Sequence, residues 1–343
     1  MVTMKDIAKA AKVSRPTVSI VLNGRSTQIR ISDETKKIVE ETAERLGYRR
    51  NDIARSMVTG KTNCIGFVDS DIVSEYSSRI LSGIIKECNE KNYFVKIFPY
   101  YEEVYFKDVV KRIIEQRPAG LICRSLSEEM LECLRKEAFN LGIPIAVTGS
   151  SFPHDWGIRI VTDDEDGASQ ATKHLIDLGH KHIAHVNFSW KRGFAELRKS
   201  GFLKTMASYS LKVTPNHIVL LKNINKAEEL IGKLFDLPEI PTAIFCATDE
   251  IAAIAIRAAR KKRLNVPDDI SITGFADMKI SRLTDPSLTT VSEPFDKIGK
   301  IAADELIKEI ERPSKRYFSK AMEKKIDLKL IIRNSTCKKA ANP

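Results

Sequence analysis

Residues 3–24, with the sequence TMKDIAKAAKVSRPTVSIVLNG, constrain the fold of this chain more than any other stretch. One helical face is marked by apolar side chains with i, i+3, i+4, i+7 spacing: Met4, Ile7, Ala8 and Ala11. Lys12 and Val13 then predict a tight turn, and the Ser14 hydroxyl can cap a second helix. That helix has an apolar face of its own, formed by Val18, Val21 and Leu22. The pattern predicts a helix-turn-helix, which is too small to be stable without further packing.

A third amphipathic helix is predicted between Ser32 and Gly47, where the acidic start and the apolar period continue the bundle. Three such helices would also fit a small bundle of any function. Basic and hydroxyl side chains gather at the start of the second helix, however, and this favours DNA binding.

Charge is unevenly distributed along the 343 residues. The chain has a net charge of +11, and residues 1–62 hold 6 Lys and 7 Arg against 7 acidic residues, a net charge of +6 in less than a fifth of the length. Contacts to DNA phosphates require such an excess. A basic appendage on an enzyme is the alternative, although such an appendage would not need the turn and capping residues of a helix-turn-helix.

The sequence shows neither a signal peptide nor a run of 18 apolar residues, so we expect a cytoplasmic protein with no membrane span. Six scattered cysteines without a C-x-x-C pair are typical of reduced core residues in that compartment.

From Asn63 onward, short apolar runs alternate with amphipathic segments. Strands are predicted at 64–68, 93–98, 120–123, 145–147, 160–161, 182–186, 217–221, 243–246 and 271–274. Helices are predicted at 79–90, 109–115, 130–141, 167–178, 193–208, 227–234, 251–261 and 295–310. Such alternation predicts doubly wound α/β layers with parallel sheets, in two successive lobes with a cleft between them.

Enzymes also use such sheets, but the sequence has no G-x-G-x-x-G after a strand, no G-x-S-x-G and no complete Walker motif. His180, His182 and His185 resemble a metal cluster only superficially, because the last two should point to opposite faces of a strand. The acidic run at 163–166 is interpreted as a helix start rather than a cation site. We therefore expect no metal, no cofactor and no catalytic residues.

The chain resembles the lactose-repressor (LacI) family of bacterial transcription regulators. The resemblance lies in the segments KDIA (5–8), VS (13–14), TVS (17–19), VLN (21–23), ARSM (54–57), HLIDLGH (174–180), LTTV (288–291) and LIIRNST (330–336). It implies a periplasmic-binding-protein fold whose chain crosses between the lobes three times. The implied domains are a DNA-binding domain (1–50), a hinge (51–62) and an effector domain (63–343). Within the last, the N-lobe comprises about 63–161 and 292–323, and the C-lobe about 162–291 and 324–343.

By this resemblance, the second helix enters the major groove and its first residues contact bases. Arg15 can bridge the O6 and N7 of a guanine, while Pro16 and Ile20 offer apolar contact, for instance to a thymine methyl. A buried Ile20 is the alternative. Backbone contacts are expected from Thr17, Ser19 and Asn23.

The resemblance also implies a hinge helix that orders when two subunits meet over DNA. Met57 would be the apolar wedge in the minor groove, where the family usually has Leu. Ala54 would allow close approach to the groove, and Arg55 could add polar contacts.

Effector contacts are expected from loops that follow strands, because the carboxyl ends of parallel strands face the cleft. The family pattern R-x-x-G-F matches residues 198–202 and makes Arg198 the strongest effector candidate, with Arg192 at a second basic position used in the purine-repressor branch. Further lining residues are predicted at Tyr76, Phe245, Asp249, Asp277 and Asp163. Two arginines with few aromatics suggest a polar or anionic effector, although cleft carboxylates could instead pair with them.

The sequence is thus interpreted as a repressor that binds double-stranded, near-palindromic operator DNA as a homodimer. A small polar effector, a carbohydrate first and a sugar phosphate or nucleobase second, would control it from the cleft. Two alternatives stay open: a DNA-binding module with a degenerate cleft that is constitutive or regulated by a protein, and an α/β enzyme with a basic N-terminal appendage.

Overall fold

The computed structural model describes residues 2–22, 31–49, 62–101, 105–124, 126–149, 154–190, 193–312 and 321–339. The chain divides into two compact units, Met1–Thr62 and Asn63–Pro343, called here the N-terminal and C-terminal units. Within the described ranges, no helix has the length and apolar character needed to cross a membrane.

The described residues of the N-terminal unit form three helices, α1 (Met4–Ala10), α2 (Arg15–Leu22) and α3 (Asp33–Arg45). Helix α1 begins with a capping box, in which the Thr3 amide donates to Asp6 Oδ2 (2.9 Å) and the Asp6 amide donates to Thr3 Oγ1 (3.4 Å). The turn before α2 contains Lys12 at φ 53, and Ser14 Oγ then accepts the Thr17 amide at 3.2 Å. The predicted helix-turn-helix is therefore formed.

A single small core holds these helices together. Its buried members come from all three: Ile7, Ala8, Val18, Val21, Val39 and Ala43. The helical face predicted from apolar spacing thus faces inward, and α3 supplies the packing that two short helices lack.

The first lobe of the C-terminal unit is a six-stranded parallel sheet in the order β11-β5-β4-β3-β1-β2. Its strands are β1 (Cys64–Asp69), β2 (Phe94–Pro99), β3 (Gly120–Arg124), β4 (Ile145–Thr148), β5 (Ile158–Thr162) and β11 (Met322–Ile326). Its helices are α4 (Glu75–Glu90), α5 (Phe106–Glu115), α6 (Glu128–Asn140) and α12 (Phe295–Glu311).

The second lobe has a sheet in the order β12-β10-β9-β8-β6-β7, in which β12 alone pairs antiparallel. The strands are β6 (Ile183–Phe188), β7 (Ile218–Leu221), β8 (Ala243–Cys246), β9 (Ser271–Ala276), β10 (Thr289–Ser292) and β12 (Lys329–Ile331). The helices are α7 (Asp164–Asp177), α8 (Phe194–Ser208), α9 (Ala227–Leu234), α10 (Asp249–Lys261) and α11 (Lys279–Leu283).

The chain crosses between the lobes after β5, after β10 and after β11. Because each crossing leaves the carboxyl end of a strand, those ends of both sheets face the region between the lobes. Strand β11 remains in the first sheet as far as Ile326, so the last crossing lies a few residues beyond the 323/324 boundary given by the sequence.

Two helices of the first lobe, α4 and α12, cross at unusually short range. A Cβ on Gly83 would lie 2.0 Å from the Asp296 carbonyl oxygen, and one on Gly299 would lie 2.0 Å from that of Ile80. These glycines let the two backbones touch, which anchors the segment that returns from the second lobe.

Candidate functional site

Helix α2 presents the predicted base-reading residues on its outer side. Arg15 and Pro16 are exposed and Ile20 is half-buried, whereas Val18 and Val21 face the core. Ile20 lies outside the hydrophobic cluster described above, so the buried alternative does not hold.

The predicted backbone-contacting residues of α2 are also partly accessible. Thr17 and Ser19 are half-buried, and the Thr17 hydroxyl lies 2.8 Å from Ser14 Oγ. The first turn of α2 contains no acidic residue, so the positive end of its dipole is available to an anion such as phosphate. Asn23 lies outside the described residues, as do the hinge candidates Ala54, Arg55 and Met57.

The C-terminal unit holds a buried charged cluster around Arg198 on α8. Its Nε donates to Asp164 Oδ1 (2.7 Å), its Nη1 to the Ala247 carbonyl (2.7 Å) and its Nη2 to Glu293 Oε2 (3.1 Å). The guanidinium carbon lies 3.5 Å from the centroid of the Phe275 ring. Arg198 thus joins the start of α7, the ends of β8 and β9 and the crossing after β10.

The R-x-x-G-F pattern has a structural basis in the packing of α8. A Cβ on Gly201 would lie 2.2 Å from the Glu165 carbonyl oxygen, so only glycine allows α8 to approach α7 this closely. Phe202 is fully buried and stacks on His185, with ring centroids 4.9 Å apart. The motif therefore fixes the helix that carries Arg198.

A buried polar chain positions the start of the same helix. His185 Nδ1 donates to the Phe245 carbonyl (2.9 Å), and its Nε2 accepts from Asn187 Nδ2 (3.0 Å), which also donates to the Ala195 carbonyl (2.8 Å). Burial lowers the pKa of His185 to about 4, so the ring stays neutral. His182 is instead half-buried and contacts Glu239, so the two histidines face different surroundings. Among the described residues, no group of three or more metal-ligating side chains comes together.

Glu293, which follows β10 directly, was not among the residues predicted for the site. Burial raises the pKa of its carboxyl, Arg198 and Arg124 oppose that rise, and Asp164 adds to it. An acidic residue between a strand and the next helix was the only available signal. The crossing after β10, rather than a motif, brings Glu293 to Arg198.

The facing wall in the first lobe is built on Arg124, at the end of β3. Its Nη1 lies 3.3 Å from Asp69 Oδ1, a buried carboxylate that also accepts the Ser77 hydroxyl. The Arg124 guanidinium carbon lies 4.2 Å from the centroid of the Tyr76 ring, and the Tyr76 hydroxyl donates to Asp71 Oδ2 at 2.9 Å. The predicted candidate Tyr76 therefore belongs to a charged network at the carboxyl ends of β1 and β3.

The three predicted aspartates of the second lobe are engaged within the protein. Asp163 caps α7 and pairs with Lys325, and Asp277 pairs with Arg333 and Arg282. Burial works to raise the pKa of Asp277, but its hydrogen bonds from these arginines hold the pKa below its ordinary value.

Asp249 is the most deeply buried of the three. It accepts the Met278 amide (2.7 Å) and the Thr290 hydroxyl (2.5 Å). Burial raises its pKa to about 7 against these hydrogen bonds. Asp249 therefore fastens the turn after β9 to β10.

Phe245 requires a correction. It is fully buried, and its ring stacks on His185 with centroids 4.8 Å apart. Because Phe245 precedes the last residue of β8, its side chain points into the sheet's packing rather than beyond the strand end, so it offers no surface to a cleft ligand.

The expectation of few aromatics also needs correction. Trp190, half of whose surface is exposed, stacks on Phe188 at 4.5 Å with an angle of 9° between the rings, and it meets Phe194 edge-on at 5.5 Å. These three residues form an aromatic platform just after β6, beside Arg198, whose guanidinium lies 4.5 Å from the Phe194 ring. Arg192 lies outside the described residues.

The arrangement combines carboxylate acceptors, guanidinium donors and an exposed ring face. Such groups suit reversible binding of a small polar molecule.

Comparisons with known proteins give the same picture. Residues 3–51 match the family described as bacterial regulatory proteins, lacI family, and residues 172–336 match a periplasmic binding protein-like domain. The HTH-type transcriptional repressor PurR of Aliivibrio salmonicida is 30% identical over 316 residues, which cover 90% of this chain and 92% of that protein. The ribose operon repressor of Haemophilus influenzae is 28% identical over 331 residues, covering 94% and 96%.

Among solved structures, the lac repressor dimer bound to operator and the anti-inducer ONPF matches with a TM-score of 0.82 and 24% identity, covering 98% of this chain and 99% of that one. This likeness concerns the fold. The relatives above are transcriptional repressors, so the enzyme alternative does not hold.

Proposed function

The chain belongs to the lacI family of bacterial regulatory proteins, and from this we propose that it represses transcription in the cytoplasm as a homodimer on a near-palindromic operator. Two-fold symmetry of the protein would be matched by two half-sites in the DNA. Residues 1–50 would bind DNA, residues 51–62 would form the hinge and residues 63–343 would bind the effector.

The single observation that carries the DNA-binding role is the outer face of α2. An exposed Arg15 at the start of a capped helix, with neighbouring exposed lysines at positions 5, 9 and 12, combines a base-reading group with phosphate-binding charge. Arg15, Pro16 and Ile20 would contact bases, and Thr17, Ser19 and Asn23 would contact the DNA backbone. In the hinge, Ala54, Arg55 and Met57 would enter the minor groove.

A carbohydrate is the effector we propose for the cleft. Arg198 and the network of Tyr76 would bind it from opposite lobes, and Trp190 provides a ring face on which a sugar ring can stack. The ribose operon repressor, whose name identifies a sugar operon, supports this class. Asp163 is a candidate at the edge of the site, Asp249 and Asp277 would shape it from beneath, and the resemblance to the family adds Arg192 as a further effector contact.

Control would follow from a shift in population between two lobe arrangements. An effector that contacts both lobes favours one arrangement only through its differential affinity for the two. That shift would change the packing of the hinge and hence the affinity for operator DNA.

Footprinting of the purified protein on DNA upstream of its own gene, over a range of salt concentrations and with a panel of sugars and nucleobases, tests this function. A two-fold protected site whose affinity one sugar changes is the expected result. Binding that is weak, steeply salt-dependent and indifferent to sequence and to every compound would contradict it. A protected site that no compound affects would favour the constitutive or protein-regulated alternative.

A further inference from the structure

The charged cluster around Arg198 contains more carboxylates than guanidinium groups. Asp164 and Glu293 both pair with Arg198, at 2.7 and 3.1 Å, and Asp69 pairs with Arg124 at 3.3 Å. With all three carboxyls ionised, these five groups carry three negative charges and two positive charges, and each guanidinium is paired. An incoming anion would therefore meet cations that are already neutralised.

Glu293 lies where this imbalance matters most. It follows β10 on a segment that crosses between the lobes, and it pairs with the second-lobe Arg198 within the field of the first-lobe Arg124. Burial raises the pKa of Glu293 to about 7 and the nearby Asp164 adds to that rise, whereas Arg198 and Arg124 lower the pKa, so Glu293 bears its full negative charge only above neutral pH.

Above its raised pKa of about 7, Asp249 adds a negative charge to the same field without a counter-ion in direct contact. Its two carboxylate oxygens are held by the Met278 amide and the Thr290 hydroxyl, both of them uncharged donors. The pairs of Asp277 with Arg282 and Arg333 already use those two arginines. The described part of the second-lobe wall is thus rich in hydrogen-bond acceptors.

We propose that Glu293 is a specificity-determining residue that restricts the effector to uncharged, hydroxyl-rich rings and excludes phosphorylated ones. This inference rests on the carbohydrate assignment above. A phosphate monoester brings a charge of about −1.5 to −2 at pH 7, and its repulsion by Glu293 and Asp164 is screened less in a partly buried site than in water. The hydroxyls of a neutral sugar can instead donate to these carboxylates and accept from guanidinium N–H groups.

Matched pairs of ligands test the proposal. At about pH 8, above the raised pKa of Glu293, three pairs are titrated by calorimetry into the full-length protein without DNA: ribose with ribose 5-phosphate, glucose with glucose 6-phosphate, and cellobiose with its phosphate. In the pair whose sugar binds, the phosphorylated member is expected to bind at least about tenfold more weakly. Equal or tighter binding of the phosphate, for instance through Arg192, would overturn the proposal.

Glu293→Gln separates charge from shape, because glutamine has nearly the same volume and retains an oxygen that can accept from Arg198. The ratio between the two affinities is expected to shrink several-fold in this variant. A matched control is Glu311→Gln, which removes one exposed carboxylate at the far end of α12 and should leave the ratio unchanged. An unchanged ratio in Glu293→Gln would mean that shape excludes the phosphate and would overturn the role of Glu293.

The outcome also distinguishes this inference from the function on which it rests. If neither member of any pair binds, the carbohydrate assignment is contradicted, and the inference about Glu293, which depends on it, is contradicted as well. If sugar phosphates bind and change operator affinity, the proposed function as an effector-controlled repressor is supported, and only the proposed exclusion of phosphates by Glu293 is contradicted.

Discussion

Arg198 packs over the face of Phe275, with its guanidinium carbon 3.5 Å from the centroid of the ring. The ring is itself fixed from behind, because a Cβ on Gly167 of α7 would lie 2.9 Å from Phe275 Cζ. The guanidinium therefore rests on a packed platform while its edge faces Asp164 and Glu293. A preset arginine of this kind can bind a ligand without first losing side-chain entropy.

Replacement of Arg198 should destabilise the C-terminal unit. Arg198→Ala leaves two buried carboxylates without their partner, and breaking a buried ion pair in this way costs about 3–5 kcal/mol. Urea unfolding monitored by circular dichroism measures the loss. Arg260→Ala is the control, since that exposed arginine lies 3.9 Å from an exposed Asp285. Its replacement should lower the free energy of unfolding by no more than about 1 kcal/mol. Equal stability of the two variants would show that the cluster is not structural.

Gly201→Ala should destabilise the same unit through sterics. The added methyl would meet the Glu165 carbonyl at 2.2 Å, which forces α7 and α8 apart and should cost about 1–3 kcal/mol, the range typical of overpacking. Gly232→Ala is matched to it, because Gly232 is also helical and has nothing within 4 Å of its added Cβ. The free energy of unfolding of Gly232→Ala should rise by about 0.5–1 kcal/mol, because alanine has a higher helix propensity than glycine. Similar unfolding midpoints for the two variants would refute the close-approach argument.

Helices and strands with strong apolar periodicity were predicted from the sequence. The predicted first residue of a helix was less accurate where a capping side chain determines it. Helix α7 begins three residues before its predicted start because Asp163 accepts the Asp166 amide at 3.2 Å, and α10 begins two residues early because Thr248 accepts the Ile251 amide at 3.3 Å. A capping side chain extends a helix into a segment that has no apolar period of its own.

Strands β10, β11 and β12 were not predicted at all. The last two are short and rich in charge, with the sequences MEKKI and KLI, and they form the outer edges of the two sheets. Edge strands often carry such charges, which hide the alternation that identifies a strand.

The candidate site was predicted only in part, for a related reason. Arg198 belongs to a motif, so sequence alone could identify it. Glu293 has no local signature, because its role depends on a crossing that brings residues nearly a hundred positions apart into contact. Phe245 was assigned wrongly, since its proximity to a strand end does not reveal which way the ring points.

Asp249 should make stability depend on pH near neutrality. Burial raises the pKa of its carboxyl from an ordinary 3.8 to about 7 in the folded chain. Its contribution to stability is therefore complete below about pH 4 and is lost as the pH rises through about 7. Asp249→Asn can still accept from Met278 and can donate to Thr290, yet it does not titrate. The stability of this variant relative to the unaltered protein should accordingly increase between about pH 5 and pH 8.

Urea midpoints measured across that pH range check the Asp249 prediction. Asp236→Asn is the control, because Asp236 is exposed and paired with Lys262 at the surface, and its difference from the unaltered protein should not change with pH. Parallel curves for Asp249→Asn and the unaltered protein would exclude a titrating Asp249.

Arg15→Ala should reduce discrimination between operator and nonspecific DNA. Loss of a bidentate contact to guanine costs about 1–3 kcal/mol of specificity. Lys37→Ala removes the same charge from α3, where Lys37 is exposed and 3.9 Å from Glu41, and it should leave discrimination intact. Fluorescence anisotropy with both DNAs gives the ratio for each variant. If the ratio of operator affinity to nonspecific affinity falls equally in both variants, Arg15 contributes only its positive charge and does not read a base.

Met57→Gly should weaken operator binding on the order of tenfold or more while preserving weak nonspecific binding, because the wedge acts only where the minor groove opens. Met57→Leu is the matched control and should retain operator affinity. Unchanged operator affinity in Met57→Gly, measured by the same anisotropy assay, would remove Met57 from the minor groove.

The most direct test of the central claim is thermodynamic linkage between the two sites. Operator affinity is measured with and without saturating effector, and effector affinity is measured with and without operator. If the cleft and the DNA-binding unit are coupled, both affinities change by the same factor, typically about 5–150-fold. An effector that binds the protein equally tightly with and without operator would contradict allosteric control of this repressor.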